Sequence, residues 1–74
     1  MNINQLRKAI KVAKAESKVI HIAIPNNRFH IDSDNCKYRV DGINELLIIN
    51  DSFLEDTIIL DIHQIMFIET NFKH

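Results

Sequence analysis

The side chains here that offer reactive or ligating chemistry are few, and each asks for a specific set of partners. Cys36 is the only thiol, and His21, His30, His63 and His74 are the only imidazoles. Nucleophilic catalysis by a thiolate needs an adjacent base to activate it. Cys36 instead alternates with Tyr38 and Val40, the pattern of a small apolar group facing inward. A zinc site wants three or four ligands, with Cys or a carboxylate in reach. His21 and His30 are the only metal candidates. If the chain turns on Pro25-Asn26 they lie opposite each other; if it turns on Asn26-Asn27, His21 lies opposite Asp32. His63 and His74 have no spacing that brings them to that pair. Asp32-Ser33-Asp34 opens like a calcium loop, but Cys36 and Lys37 occupy the next positions where an oxygen ligand and a glycine are required. Gly42 is the only glycine, so no glycine-rich phosphate loop exists, and no cofactor or small-molecule substrate is expected. With no Ser elbow or paired catalytic carboxylates either, the chain reads as a non-enzyme. What remains is charge. Arg7, Lys8, Lys11, Lys14 and Lys18 gather near the N-terminus and are the candidate contacts to nucleic acid or to an acidic protein partner.

The elements that position these groups follow from hydrophobic period. Asn2 is a candidate N-cap with Gln5 three residues on, and no Gly or Pro interrupts the next fourteen residues, so a helix is expected over about 3–16. Ile3, Leu6, Ile10 and Ala13 form its apolar stripe, and Arg7, Lys11, Lys14 and Lys18 a parallel basic one. From Val19 the period becomes two. Strands are expected at about 18–24, 28–32, 36–40, 45–50, 57–61 and 65–70. Phe29 and Ile31 should face inward, and Arg28, His30 and Asp32 outward. Asp41-Gly42 signals a two-residue hairpin. The near-continuous apolar runs at Leu46-Leu47-Ile48-Ile49 and Ile58-Ile59-Leu60 predict central strands covered on both faces. Ser52 with Glu55 is spaced to cap a single helical turn that buries Phe53 and Leu54, with a plain loop as the alternative. No internal repeat or linker stands out, and the whole of 1–74 reads as a single domain.

At 74 residues there is room for one core, in a size range that often leans on self-association. A lone cysteine fits a reducing compartment, and five cations lie where the apolar stretch of a signal peptide would be, so a cytoplasmic protein is expected. No apolar run approaches the ~20 residues of a membrane span. Ile, Asn and Lys are abundant while Gly, Pro and Trp are nearly absent, a bias that AT-rich coding produces; a low-GC bacterium or its phage is the expected source. The net charge of −1 conceals a division: residues 1–18 carry +4 and residues 19–74 carry −5.

One helix followed by five or six short antiparallel strands is an α+β pattern, arranged as a bent sheet or a small SH3/Sm-like barrel. The order of elements resembles the Sm-like family, its bacterial Hfq branch in particular. In that family an N-terminal helix caps a bent barrel, and a short helical turn separates the last two strands. Ile59-Leu60-Asp61-Ile62-His63-Gln64-Ile65 resembles the segment between those strands, where a Lys-His pair precedes an apolar strand. Here Ile62 stands where the family has Lys, and the glycine and Asp-aromatic-Asn spacing of its first motif has no counterpart around Phe29 to Val40. The resemblance implies a barrel and RNA binding. The residue reading favours a protein-interaction module, such as an accessory or phage-borne regulator, that engages a protein partner or associates with itself.

Overall fold

The structure, a computed structural model, describes residues 1–70. Its first element forms as the capping signal dictates. The Asn2 side chain accepts from the Gln5 backbone N–H at 2.8 Å, and the Gln5 side chain accepts from the Asn2 N–H at 2.9 Å. Two of the four orphan donors at the helix start are satisfied reciprocally. Helix α1 then runs Ile3–Glu16 and buries Leu6, Ile10 and Ala13 along the stripe read from the sequence.

Six antiparallel strands follow: β1 (Val19–Ile24), β2 (Asn27–Asp32), β3 (Cys36–Asp41), β4 (Leu46–Asp51), β5 (Asp56–Asp61) and β6 (Phe67–Thr70). The protein is α+β, with the strands divided into two three-stranded sheets ordered β2-β1-β6 and β3-β4-β5. Chain passes from one sheet to the other at the turn after β2. There the Asp32 carboxylate accepts from the Asp34 N–H at 2.9 Å and the Asp32 carbonyl from the Asn35 N–H at 3.0 Å. The Asp-rich segment is thus a turn closed on itself. Ladder bonds reach into it from both sides, Ser33 N–H to the Lys18 carbonyl and Ser52 N–H to the Asn35 carbonyl, each at 2.9 Å.

Neither sheet closes into a barrel. Strand β6 bonds to β1, and β5 bonds only to β4. The sheets part at two places, the Asp32–Asn35 turn between β2 and β3 and the 3-10 turn Ile62–Gln64 between β5 and β6. Ile62 and Ile65 are buried at 0% and 2% exposure, and anchoring both in the core carries the chain across to β1 instead of back along β5. The last strand accordingly begins at Phe67, two residues later than its period suggests.

The first hairpin turns on Pro25-Asn26. Ile24 pairs with Asn27 and His21 with His30, which decides between the two registers open to the sequence. Pro fixes the φ of the first turn residue, and Asn26 takes a left-handed φ of 67°, the residue pattern of a type II turn. Strand β4 is central in its sheet, as expected, with Leu47, Ile48 and Ile49 all buried. Strand β5 is not. It is an edge strand, and Ile59 is 59% exposed on its outer face. An apolar run reports how much apolar surface a strand carries and not whether a neighbour covers it.

The two hairpins of the second sheet repeat one design, against the expectation of no repeat. Asp41 and Asp51 each end a strand, and each carboxylate accepts two loop N–H groups. Asp41 takes Ile43 and Asn44 at 3.0 and 3.1 Å; Asp51 takes Phe53 and Leu54 at 2.9 and 3.1 Å. Each four-residue loop closes on a Glu of left-handed φ, 57° at Glu45 and 55° at Glu55. Asp41-Gly42-Ile43-Asn44-Glu45 leading to Ile48-Ile49 therefore matches Asp51-Ser52-Phe53-Leu54-Glu55 leading to Ile58-Ile59, ten residues on. The two-residue hairpin signalled by Asp41-Gly42 is absent because Asp41 caps a longer loop, and Gly42 has no positive φ. The Ser52–Glu55 helical turn is absent for the same reason at Asp51, and Phe53 and Leu54, expected to be buried by it, are exposed.

Leu6, Ile10 and Ala13 of α1 join Ile20, Ile22, Ile31, Cys36, Leu47, Ile49, Leu60, Ile62 and Ile65 in one core that spans both sheets. The helix lies over the opening between the sheets. Ile3 and Arg7 approach Gly42 after β3, while Met1 reaches the Ile65 carbonyl before β6 at 3.3 Å.

Candidate interaction surface

The five cations singled out from the sequence share a helix but not a role. Lys14 lies over the Tyr38 ring, its ammonium 5.0 Å from the centroid. A cation held over an aromatic face has a partner already. Lys18 reaches Asp34 at 3.8 Å with both side chains exposed, a pair of small energetic weight. Arg7 sits against the Gly42 turn. Lys8 and Lys11 are exposed and have no ion pair among the described residues. The stripe thus borders β3, whose own outward side chains include Lys37 and Arg39.

The acids lie elsewhere. Between Val40 and Thr70 the chain has no Lys or Arg, while the two repeated hairpins and their flanks bring Asp41, Glu45, Asp51, Glu55, Asp56 and Asp61. The Asp41 carboxyl is held below the usual carboxylate range, first by the Asn44 side-chain amide and then by the loop N–H groups it accepts. A cleft beside the second loop gathers Asp34, Asp51, Glu55 and Asp56 around Ser52 and Lys37.

Exposed apolar side chains fall on the same two regions. Phe53 (77% exposed), Leu54 (61%) and Ile59 belong to the β4–β5 hairpin. Val12 (57%) belongs to α1 and Phe67 to β6, and Met66 (60%) directly precedes β6; Ile43, on the sister loop, stands apart. Val12 and Met66 both line an open groove of about 880 Å3 between α1 and β6, together with Ala9, Ala13 and Ile68. Lys8 stands on one rim, with Glu16 and Glu69 toward the other end.

On the first sheet, His21 and His30 sit side by side, ring centroids 6.2 Å apart. The next group in that row, Glu69, is engaged by Arg28 at 2.6 Å, and Arg28 also covers Phe67 at 5.7 Å from its centroid. Among the described residues no three His, Cys, Asp or Glu side chains are placed to hold a metal ion. His63 hydrogen-bonds Glu45 at 2.7 Å, and the Ile62 N–H donates to the Glu45 carbonyl at 3.0 Å, pinning the 3-10 turn to the first repeated loop. His74 lies outside the described residues. Cys36 is buried, and desolvation pushes its thiol up, away from the reactive thiolate. No helix among the described residues is long and apolar enough to cross a membrane.

Sequence reasoning found the cations and missed the acidic, apolar-tipped hairpin. The signal was present as the ten-residue spacing of Asp41, Asp51 and Asp61. The chain matches no protein-family model, no curated protein and no solved structure.

Proposed function

We propose that the chain is a non-enzymatic protein-interaction module that works as an assembly of its own copies, in the manner of a small accessory or phage-borne regulator. One observation carries this reading: exposed apolar groups coincide with acids on the β4–β5 hairpin and with cations on α1. Opposite charge beside apolar surface on one chain is the arrangement that lets copies recognise each other, with charge setting the register and apolar burial supplying the affinity. A second copy is the best-matched partner, because each copy carries both halves of the contact.

Charge exchange tests it. The double variant Lys8→Glu with Lys11→Glu should fail to assemble, and so should Glu55→Lys with Asp56→Lys. Mixed, the two should recover a complex. Absence of any complex in the mixture, with each variant folded, contradicts the reading.

A second reading, an Sm-like RNA binder using the helix cations, draws on Lys8 and Lys11, which have no ion pair among the described residues. It draws less on Lys14 and Lys18, which are engaged within the chain. The first double variant would abolish RNA affinity on that reading, and the second would leave it intact.

A further inference from the structure

We propose that the Phe53–Leu54 tip of one copy seats in the α1–β6 groove of a second copy. The inference rests on the self-assembly reading and names its surfaces. The tip is convex and held out: Asp51 accepts the N–H groups of Phe53 and Leu54, so both side chains ride on a fixed turn, 77% and 61% exposed. The groove is open and its apolar lining comes from Ala9, Val12, Ala13, Met66 and Ile68.

Charge gives the contact a direction. Glu55 and Asp56 follow the tip directly in sequence, and Lys8, with no ion pair among the described residues, stands on the groove rim. At the other end of the groove Glu69 is occupied by Arg28 at 2.6 Å, and Glu16 offers only repulsion to an acidic tip. The tip acids therefore meet the Lys8 end. A nucleic acid or an anionic membrane would be repelled by those acids, whereas Lys8 of another copy is a cation beside an apolar groove that can take the tip. Tip and groove are different patches of one chain, so the contact is heterologous: every copy gives a tip and receives one.

Sedimentation velocity of the full chain over a concentration series tests this, with circular dichroism confirming that each variant is folded. Phe53→Ser and Val12→Glu, both at exposed positions, should each weaken self-association by about tenfold or more, as loss of a central aromatic anchor does. Ile43→Ser is the matched control, because Ile43 is 93% exposed on a loop built the same way. It should leave association unchanged. Mixing the Phe53→Ser and Val12→Glu chains pairs one intact tip with one intact groove, so the mixture should form a capped one-to-one dimer and nothing larger. A wild-type chain that assembles while ignoring Phe53→Ser overturns the inference and leaves self-assembly standing. A wild-type chain that stays monomeric at every concentration overturns both. Equal losses from Ile43→Ser and Phe53→Ser, or no dimer in the mixture, also overturn the tip-in-groove contact.

Discussion

Truncating Leu6 to Ala removes the bolt that fastens α1 over the two sheets, and the size of its effect follows from its surroundings. Leu6 is 0% exposed and packs in the core cluster with residues of both sheets and the 3-10 turn. The substitution deletes three buried carbons, about 2.4 kcal/mol at roughly 0.8 kcal/mol each. Incomplete collapse of the cavity adds to this, for a total of about 3–4 kcal/mol. A domain of this length has roughly 4–11 kcal/mol of stability, so the substitution removes from about a third to nearly all of the margin. Urea unfolding followed by far-UV circular dichroism should show the midpoint falling at nearly unchanged slope. Thermal unfolding should drop by about 12–30 °C, at roughly 4–8 °C per kcal/mol. Val12, two turns along on the same helix, is 57% exposed. Its replacement by Ala should stay within about 0.5 kcal/mol, since little packing is lost and Ala is the better helix former. A cost below about 1 kcal/mol for Leu6→Ala, or equal costs at the two positions, would refute the docking of α1 on which groove and charge arrangement both depend.

Other expectations are more local. Asn2→Ala breaks the reciprocal cap with Gln5 and should cost about 1 kcal/mol in urea unfolding; no change would mean the box is not formed in solution. Asp41 has a folded pKa below its unfolded value, so its contribution is present above the unfolded pKa and is lost as pH falls through the folded one. The stability difference between wild type and Asp41→Asn should accordingly shrink on acidification below the ordinary Asp value of about 3.9, and a difference constant with pH would count against the Asp41 cap. Cys36, buried and with its thiol pushed up, should resist a thiol reagent in the native protein and react fully in denaturant; rapid native labelling contradicts its burial.

Local chemistry made α1 legible. Asn2 and Gln5 sit three apart, the apolar stripe recurs at helical steps, and nothing between breaks the helix. The strands were legible to within one or two residues wherever polar turn residues flank a period of two, as at Pro25-Asn26 and Asp32–Asn35. What a one-dimensional pattern does not carry is which edges meet. Ile58-Ile59-Leu60 has the apolar density of a covered strand, yet β5 is an edge, because the crossing at Ile62–Gln64 takes β6 to β1. The basic helix was visible as charge, but the engagement of Lys14 by Tyr38 depends on how α1 lies beside β3, a tertiary fact. The Phe53–Leu54 tip was hidden differently. Its two apolar residues read as core of a helical turn until Asp51, ten residues after Asp41, is seen to cap the same loop.

The most direct test of self-assembly is the mass of the freshly purified chain in solution. Size-exclusion chromatography with light scattering and refractive index, read also at 260 nm, measures protein mass and any nucleic acid together. With one Tyr and no Trp, the chain itself absorbs little in the ultraviolet, so bound nucleic acid would stand out. Self-assembly should give a mass of several copies, free of nuclease-sensitive 260 nm material, that falls as salt is raised. A monomer at low salt, or an assembly that dissolves on nuclease treatment, would contradict it.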